Sequence, residues 1–234
     1  MKHTFNTVKT KLVTPVRMSY VGGFGQDPTS AIVSEKQFFN CTPSAIRARQ
    51  KDAPITWYLL QKYFRELVPG DDYHNLLINT YSHNLPSDGL YPNQPIWHCD
   101  YARQDDEETK VDLVEDAEVK HWYIILGNKP SVPVPQFIDK HHICLKDEML
   151  AEPSWVEMSK LIDRKVTSGW HTYAFKPFEL FSFRGNELYR SSVSTEPVAR
   201  FAMRVTLYPK GHPLRPTGTK YGKERKLHMV YVAC

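Results

Sequence analysis

Residues 178–209, FELFSFRGNELYRSSVSTEPVARFAMRVTLYP, contain three short runs rich in aromatic and aliphatic residues. The first run ends at the Arg-Gly-Asn turn of residues 184–186, the second is ELYRSS at 187–192, and the third is ARFAMRVTLY at 199–208. Short runs of this composition, bounded by Gly, Asn and Pro, are typical of β-strands joined by turns. This stretch therefore predicts three strands that follow one another along the chain.

Similar runs precede and follow this stretch. The other strand candidates are HNLLINTYSH (74–83), PIWHCDYAR (95–103), KHWYIILGN (120–128), PQFIDKHHICL (135–145), HTYAFKPFELFSF (171–183) and KLHMVYVA (226–233). They do not alternate regularly with helices, and the sequence has no glycine-rich phosphate-binding loop. The predicted class is therefore α+β but mainly β, with the strands in a β-sandwich or cupin-like jelly roll supported by N-terminal helices.

Helical patterns occur mainly before the strand-rich part of the chain. The helix candidates are TPSAIRARQ (42–50), DAPITWYLLQKYFREL (52–67) and, further on, PSWVEMSKLIDRK (153–165). Thr42 or Ser44 is expected to cap the first helix. The second has Asp52 as its expected N-cap and Pro54 in its first turn.

We expect one domain over residues 1–234. The chain is long enough for one sizeable core, and no repeat or Gly/Ser-rich linker divides it. Within it we distinguish an N-terminal α/β support at 1–73, a jelly-roll core at 74–209, and a basic C-terminal extension with a candidate edge strand at 210–234.

Two charged segments interrupt the strand pattern. RQDDEETKVDLVEDAE (103–118) is interpreted as a solvated loop or insertion, with a lid over a site as the alternative. KGHPLRPTGTKYGKERK (210–226) is interpreted as an exposed basic loop before a last edge strand. Binding of phosphate or an acidic partner is the alternative for the second segment.

Composition limits the classes of function. The formal net charge of +4 and the pI of about 8.7 are compatible with an anionic ligand but argue against a nucleic-acid partner. The longest apolar runs, such as WYIIL (122–126), are too short to cross a membrane, and the first residues lack the apolar core of a secretory signal. The four cysteines are scattered, which favours reduced thiols. We therefore expect a cytoplasmic protein.

The run at 95–103 holds a histidine and an aspartate two positions apart, His98 and Asp100. On a strand, residues i and i+2 point to the same face. An imidazole and a carboxylate held together in this way supply two ligands of a 2-His-1-carboxylate iron site. The same spacing also occurs in hydrogen-bonded structural pairs, so the pattern alone leaves both interpretations open.

The third run of the opening stretch contains Arg200 and Arg204. Because they are four positions apart, they share one face of the predicted strand. A guanidinium group can form a bidentate pair with a carboxylate. Either arginine is therefore a candidate anchor for a carboxylate ligand.

The sequence resembles the Fe(II)/2-oxoglutarate-dependent dioxygenases, whose fold is a double-stranded β-helix. Four runs taken together carry the resemblance: PIWHCDYAR, HWYIIL (121–126), ELYRSS and ARFAMRVTLYP (199–209). The family's pattern is His-x-Asp, then a distant His, then an Arg or Lys one strand further on. The resemblance covers roughly residues 74–209. It implies Fe(II) and 2-oxoglutarate as cofactors and the hydroxylation of a small-molecule substrate.

Carried over residue by residue, the resemblance implies a role for five side chains. His98 and Asp100 match the first two metal ligands. Arg200 matches the group that pairs with the distal carboxylate of 2-oxoglutarate, with Arg204 as the second choice. Tyr123 would be a supporting group near the co-substrate.

The sequence departs from the family at the third ligand, because Tyr189 stands where the family has its distal histidine. Tyrosine ligates iron in some haem enzymes, but a neutral phenol is a poor ligand for Fe(II). Three explanations stay open. Tyr189 is a substitute ligand, His171 completes the site instead, or the site has lost its metal.

The leading hypothesis is thus an Fe(II)- and 2-oxoglutarate-dependent oxygenase-like protein that acts on a small molecule. The second is a catalytically inactive jelly-roll protein with a binding or structural role, for example in a virion. The third is an unrelated jelly roll in which the His-x-Asp spacing is coincidental. The remaining histidines, among them His74, His83 and His121, are interpreted as structural or surface residues, and nothing in the sequence indicates an oligomeric state.

Overall fold

The structure is a computed structural model of the chain. The residues that it describes are 3–6, 12–15, 28–87, 97, 102–104, 111–113, 119–138, 142–145, 155–167, 171–184, 187–211 and 220–221. Every strand pairing among these residues is antiparallel. The prediction of a mainly β chain with helices in its N-terminal part is confirmed.

Short strands make up most of the described elements. The strands are β1 (His3–Asn6), β2 (Leu12–Pro15), β3 (Phe38–Phe39), β4 (Leu77–Leu85), β5 (Ala102–Gln104), β6 (Val111–Leu113), β7 (Lys120–Gly127), β8 (Gln136–Ile138), β9 (His142–Leu145), β10 (Thr172–Ala174), β11 (Glu179–Arg184), β12 (Tyr189–Arg190), β13 (Val198–Leu207) and β14 (Lys220–Tyr221). The helices are α1 (Pro28–Ser34), α2 (Pro43–Arg47), α3 (Pro54–Leu59), α4 (Arg65–Leu67), α5 (Asp71–His74) and α6 (Trp155–Thr167), with a π-helical turn at Leu60–Phe64.

The largest sheet has five strands in the order β2-β11-β7-β13-β4. Strand β13 lies between β7 and β4, and its register places Arg200 opposite Gly127 on β7 and His83 on β4. Arg204 lies opposite Tyr123 on β7. These pairs join residues that are far apart in sequence, so the register depends on the packing of the whole sheet.

A second sheet has three strands in the order β10-β8-β12. Its register aligns Tyr173, Phe137 and Tyr189 in one row across the strands. The ring of Phe137 lies 5.7 Å from that of Tyr173 and 5.5 Å from that of Tyr189. Three further pairs, β1 with β9, β3 with β14 and β5 with β6, form two-stranded sheets.

The two faces of the five-stranded sheet have different contacts. On the helix-facing side, Phe201, Met203 and Val205 of β13 join Trp122 and Ile124 of β7 in one apolar core with residues of α1 to α4. Successive residues of a strand point to opposite faces, so Arg200, Ala202 and Arg204 point away from the helices.

We call the opposite side the inter-sheet face, because it packs against the three-stranded sheet. The apolar side chains of this second core are Leu85, Tyr123, Ile125, Val132, Phe137, Phe181, Phe183, Val198 and Ala202, with Tyr81, Val134, Tyr173, Phe175 and Tyr189 against them. Phe137 of the smaller sheet lies 5.8 Å from Phe181 and 5.4 Å from Phe183 of the larger one. The two sheets therefore enclose an aromatic core.

Helix α2 begins as the sequence predicts. Thr42 is its N-cap, and the Thr42 hydroxyl accepts a hydrogen bond from the backbone N–H of Ala45. The N-cap of α3 is Ala53, however, so the prediction of Asp52 as N-cap was wrong. Asp52 instead lies in a turn and forms an ion pair with Lys36.

A distant carboxylate satisfies the N-terminus of α3 in place of a local cap. Glu35, which follows α1, accepts hydrogen bonds from the backbone N–H of Ile55 at 3.1 Å and of Thr56 at 2.7 Å. The Thr56 hydroxyl donates a third, at 2.6 Å. Glu35 is 3% exposed, and burial raises its pKa from 4.5 to about 7 although these hydrogen bonds lower it. This contact ties α1 to α3.

Two of the long predicted strands are divided in the structure. The run at 171–183 forms β10 and β11, which belong to different sheets. The break contains Pro177, which cannot donate to a ladder, and Phe178, whose φ of 68° is outside the strand region. The run at 135–145 likewise forms β8 and β9 in different sheets.

The charged segments are more ordered than the sequence predicts. Residues 103–118, expected to be a loop, contribute to the antiparallel pair β5–β6, where Arg103 lies opposite Asp112. Residues 210–226 contain β14, which pairs with β3. The candidate edge strand at 226–233 lies outside the described residues. No helix in the described part of the chain is both long enough and apolar enough to cross a membrane.

Candidate functional site

The inter-sheet face carries an unusual set of polar side chains. Arg200 and Arg204 of β13 point to it, and so do His121 and Tyr123 of β7. Arg204 is half-buried, whereas Arg200, His121 and Tyr123 are buried. Buried polar and charged groups cost free energy unless they are paired, so a concentration of them on one face requires an explanation.

Arg200 is the most informative member of this set. Its side chain is 3% exposed, and its Nε–H donates a hydrogen bond of 3.2 Å to the backbone carbonyl of Pro133. Its Nη1 is buried and has no hydrogen-bond partner among the described residues. A guanidinium with five N–H donors and one acceptor retains donors that a ligand can use.

The loop at residues 128–135 supplies the backbone acceptor that the described residues show for Arg200. Asn128 fixes the loop, because its side chain accepts from the N–H of Ala199 and its own N–H donates to the carbonyl of Ala199. Lys129 and Ser131 both donate to the carboxylate of Glu196. The acceptor at Pro133 is therefore held in place from two directions.

Gly127 allows this loop to approach the sheet. A Cβ atom at Gly127 would lie 2.5 Å from the Cβ of Val132, far closer than two carbon atoms can approach. Gly127 is also the residue opposite Arg200 on β7. The absence of a side chain thus permits the contact between Arg200 and the carbonyl of Pro133.

His83 lies opposite Arg200 on the other neighbouring strand, β4. Burial, and then the positive charge of Arg200, lower the pKa of His83 from 6.5 to about 4. The imidazole is therefore neutral at physiological pH, and the guanidinium provides the positive charge at this position.

Tyr123 and Tyr189 lie in the aromatic core of the same face. The ring of Tyr123 is 5.8 Å from that of Phe181 and 6.4 Å from that of Phe183. The ring of Tyr189 is 5.6 Å from that of Phe183. The structure thus places Tyr123, Tyr189 and Arg200 of the predicted site on the two walls of one core.

Arg190, which follows Tyr189, points to the outer side of the smaller sheet. Its Nε donates to Gln136 on the neighbouring strand, and its Nη1 forms an ion pair of 2.8 Å with Asp163 of α6. The guanidinium carbon also lies 4.6 Å from the ring centroid of Trp97. Arg190 therefore connects β12 to α6 and to Trp97.

Trp97 is completely buried and is held by α6. Its backbone N–H donates to the hydroxyl of Ser159 and its indole N–H donates to Asp163, both at 2.9 Å. Asp163 accepts from Arg190 as well. Helix α6 thus fixes the position of Trp97 beside β12.

The remaining predicted ligands are not brought together in the described part of the chain. His98 and Asp100 lie outside the described residues. His171 immediately precedes β10 and is exposed, unlike Tyr189. No group of three His, Cys, Asp or Glu side chains suited to a metal occurs among the residues that the structure describes.

The described residues fit the two implied cofactors unequally. Arg200, with its buried Nη1 atom, is a suitable partner for a ligand carboxylate. For iron, the described ligand candidates are the exposed His171 and the phenol of Tyr189, whose ring packs against Phe137 and Phe183. A phenol alone does not make an Fe(II) site, because such sites use imidazole and carboxylate ligands.

His83 and His121 had been interpreted from the sequence as structural or surface residues. His121 has the structural role, because it is 1% exposed and its Nδ1 lies 2.8 Å from the hydroxyl of Thr206. The place of His83 beside Arg200 was missed. No signal in the sequence indicates it, because the pairing of β4 with β13 joins residues on opposite sides of the strand-rich region.

Comparison with known proteins gives weak neighbours only. No protein-family model matches the chain, and no curated protein matches it. One similar solved structure is an N-substituted L-amino acid dioxygenase from Burkholderia ambifaria AMMD in complex with alpha-KG. It has a TM-score of 0.34 and 11% identity, over 90% of this chain and 97% of that one. Another is EvdMO1, with a TM-score of 0.33 and 10% identity, over 87% of this chain and 56% of that one. Similarities at this level do not establish a common fold or activity.

Proposed function

We propose that this protein is an oxygenase-like jelly-roll protein that binds 2-oxoglutarate and Fe(II) and hydroxylates a small molecule. The observation that carries the proposal is the state of Arg200. A buried guanidinium on the inter-sheet face, with one backbone acceptor and a buried Nη1 that lacks a partner among the described residues, is suited to the distal carboxylate of 2-oxoglutarate.

The alternation of the strands between the two sheets supports a double-stranded β-helix. From β7 onward, the chain passes from the larger sheet to the smaller one at β8, pairs with β1 at β9, rejoins the smaller sheet at β10, returns to the larger one at β11, crosses again at β12 and returns at β13. A jelly roll is made in this way, by a chain that supplies two facing antiparallel sheets in turn. The core would then span residues 74–209, supported by 1–73 and followed by the extension at 210–234.

The contact between Trp97 and Arg190 supports the metal part of the proposal. Trp97 immediately precedes His98 in the sequence, and Arg190 immediately follows Tyr189. Since the Arg190 guanidinium lies 4.6 Å from the Trp97 ring, the residue that precedes the His-x-Asp pair lies beside the residue that follows Tyr189. An unrelated jelly roll with a coincidental His-x-Asp pair would not require this contact.

In this proposal His98 and Asp100 hold the iron, with Tyr189 or His171 as the third ligand. When bound, iron and 2-oxoglutarate supply the oxidising chemistry, as cofactors do in enzymes of this kind. The contribution of the chain is binding and orientation. Arg200 holds the distal carboxylate, Arg204 and Tyr123 adjoin it on the same face, and the aromatic core excludes water.

A second candidate function is favoured by one observation. Tyr189 packs in the aromatic core against Phe137 and Phe183, as a core residue does. An inactive descendant of the fold, acting as a binding or structural protein, would keep this packing and would not need an iron ligand at position 189. Both candidates keep a carboxylate site at Arg200, and they differ in whether iron binds.

The first experiment is calorimetric titration of 2-oxoglutarate into the full chain and into Arg200→Met. Removing a charged partner from a buried pair costs about 2–5 kcal/mol of binding, so we expect affinity to fall by about 30-fold or more. Arg204→Met is the matched control on the same strand face, with a smaller expected loss. Equal binding by wild type, Arg200→Met and Arg204→Met would contradict the proposal.

A second titration separates the two candidates. Under anaerobic conditions, Fe(II) is titrated with and without 2-oxoglutarate into wild type and His98→Ala. Stoichiometric binding that depends on His98 and is tightened by 2-oxoglutarate supports the oxygenase. Binding of 2-oxoglutarate without any iron binding supports the inactive protein.

A further inference from the structure

We propose that His83 is a second binding residue of the carboxylate site at Arg200, and that it takes up a proton when the carboxylate binds. This inference rests on the proposed function, and it concerns the same site. It adds a residue from β4 and a dependence on pH that the arginine alone would not produce.

The geometry places His83 beside the guanidinium. The two residues are direct cross-strand partners on one face of an antiparallel pair, where side chains lie close together. Burial, and then the charge of Arg200, lower the pKa of His83, in agreement with this placement. A carboxylate bound to Arg200 therefore comes close to His83 as well.

Among the described residues, the charge that acts on the pKa of His83 is that of Arg200. Among the described elements, those that pack most extensively against β4 are β13, β3 and α1. Strand β13 contributes Arg200 and Arg204, whereas β3 and α1 contain no charged residue. Burial and the charge of Arg200 lower the pKa of His83, so the imidazole is neutral before ligand binds.

Binding of a carboxylate reverses this situation. The ligand offsets the charge of Arg200 and brings a negative charge near the imidazole, and an opposite charge within about 4–6 Å favours the protonated form of histidine. Protonated imidazole then donates a second hydrogen bond to the ligand. Because the proton is taken up on binding, affinity must rise as pH falls.

The test is calorimetric titration of 2-oxoglutarate, and of glutarate, into the full chain. Glutarate keeps the distal carboxylate but lacks the 2-oxo acid that a metal chelates. Titrations in two buffers of different ionisation enthalpy count the protons taken up per ligand. We expect net uptake near pH 6 and affinity about tenfold higher near pH 5.5 than near pH 7.5, as linkage to one group with a shifted pKa requires.

His83→Gln keeps a hydrogen-bonding side chain of similar size but cannot take up the proton. We expect it to bind both ligands with an affinity that does not change over this pH range. His74→Gln, at an exposed histidine of α5, is the matched control and should behave like wild type. Circular dichroism and thermal unfolding establish that each variant is folded.

The outcomes distinguish the inference from the proposed function. Binding that depends on Arg200 but occurs without proton uptake, and with the same affinity at both pH values in wild type, would overturn the inference and leave the proposed function standing. Binding of neither ligand by wild type, with or without Fe(II) under anaerobic conditions, would overturn both. The wild-type measurement decides the question even if His83→Gln does not fold.

Discussion

Glu35 in the helical layer and Arg200 on the inter-sheet face are equally buried, each 3% exposed, but their surroundings differ. The carboxylate of Glu35 accepts three hydrogen bonds from Ile55 and Thr56. Arg200 donates one to Pro133, and its Nη1 has no partner in the described part of the chain. An ionisable group whose hydrogen bonds are completed within the fold serves structure, whereas a charged group with donors left over is suited to a ligand.

The sharpest test of this comparison is Glu35→Ala. The change leaves two backbone N–H groups and one hydroxyl at the start of α3 without their acceptor. Each buried donor left unsatisfied costs about 1–3 kcal/mol, so the free energy of unfolding at about pH 5 should fall by about 3 kcal/mol or more. Urea unfolding measures it. A loss below about 1 kcal/mol would contradict the structural role of Glu35.

Glu35 also predicts how stability depends on pH. Its folded-state pKa of about 7 lies above 4.5, so between these values the folded state binds more protons than the unfolded state. Stability from this group is therefore complete below about pH 4.5 and is lost as pH rises towards 7, by roughly 1–3 kcal/mol. In Glu35→Gln this decrease of stability with rising pH should be absent. Urea unfolding at a series of pH values measures it.

Glu196 is the control for this measurement, because its effect on the pH dependence of stability should have the opposite sign. Hydrogen bonds from Lys129 and Ser131 lower the pKa of the Glu196 carboxyl. Its contribution is present above the usual pKa of a glutamate and is lost as pH falls through the lowered value. If Glu35→Gln and Glu196→Gln changed the pH profile in the same direction, the assignment of the Glu35 effect to burial would be wrong.

Gly127→Ala tests the loop that holds the acceptor of Arg200. The added methyl group would overlap Val132, so residues 128–135 must move away from β7. Overpacking of this kind costs about 1–3 kcal/mol of stability. Because the Pro133 carbonyl moves with the loop, binding of 2-oxoglutarate should weaken too, as measured by calorimetry. Loss of stability with unchanged binding would show that the Pro133 contact does not orient Arg200.

The smallest expected effect on stability is that of Arg200→Met. An apolar side chain of similar length removes a buried charge that is incompletely paired within the described part of the chain, so stability should stay within about 1 kcal/mol of wild type or increase. A loss as large as that expected for Glu35→Ala, measured in the same urea series, would make Arg200 a structural residue and remove the distinction between the two charges.

Parts of the fold and of the candidate site were predictable from local pattern. The run at 120–128 corresponds closely to β7, and the run at 199–208 to β13, because long alternating or continuous apolar runs identify buried strands reliably. Thr42 was predictable as an N-cap because capping is local. The shared face of Arg200 and Arg204 followed from the two-residue period of a strand.

Other features were missed because they arise from contacts between distant residues. The cap of α3 comes from Glu35 across a long separation, so the local rule chose Asp52 instead. The division of 171–183 between two sheets depends on which partners β10 and β11 find. The anchoring of Trp97 by α6 joins segments with no common sequence signal.

The sequence by itself therefore determined the mainly β class, the long central strands and the presence of two arginines on one strand face, since composition and periodicity are local properties. Only the tertiary structure determined which of the buried ionisable groups has its hydrogen bonds completed within the fold. It placed His83 opposite Arg200, supplied the Pro133 carbonyl across Gly127, and gave Glu35 its three donors. Strand register and burial are set by packing over the whole chain, and these two quantities determine whether a charged residue supports the fold or is left to bind a ligand.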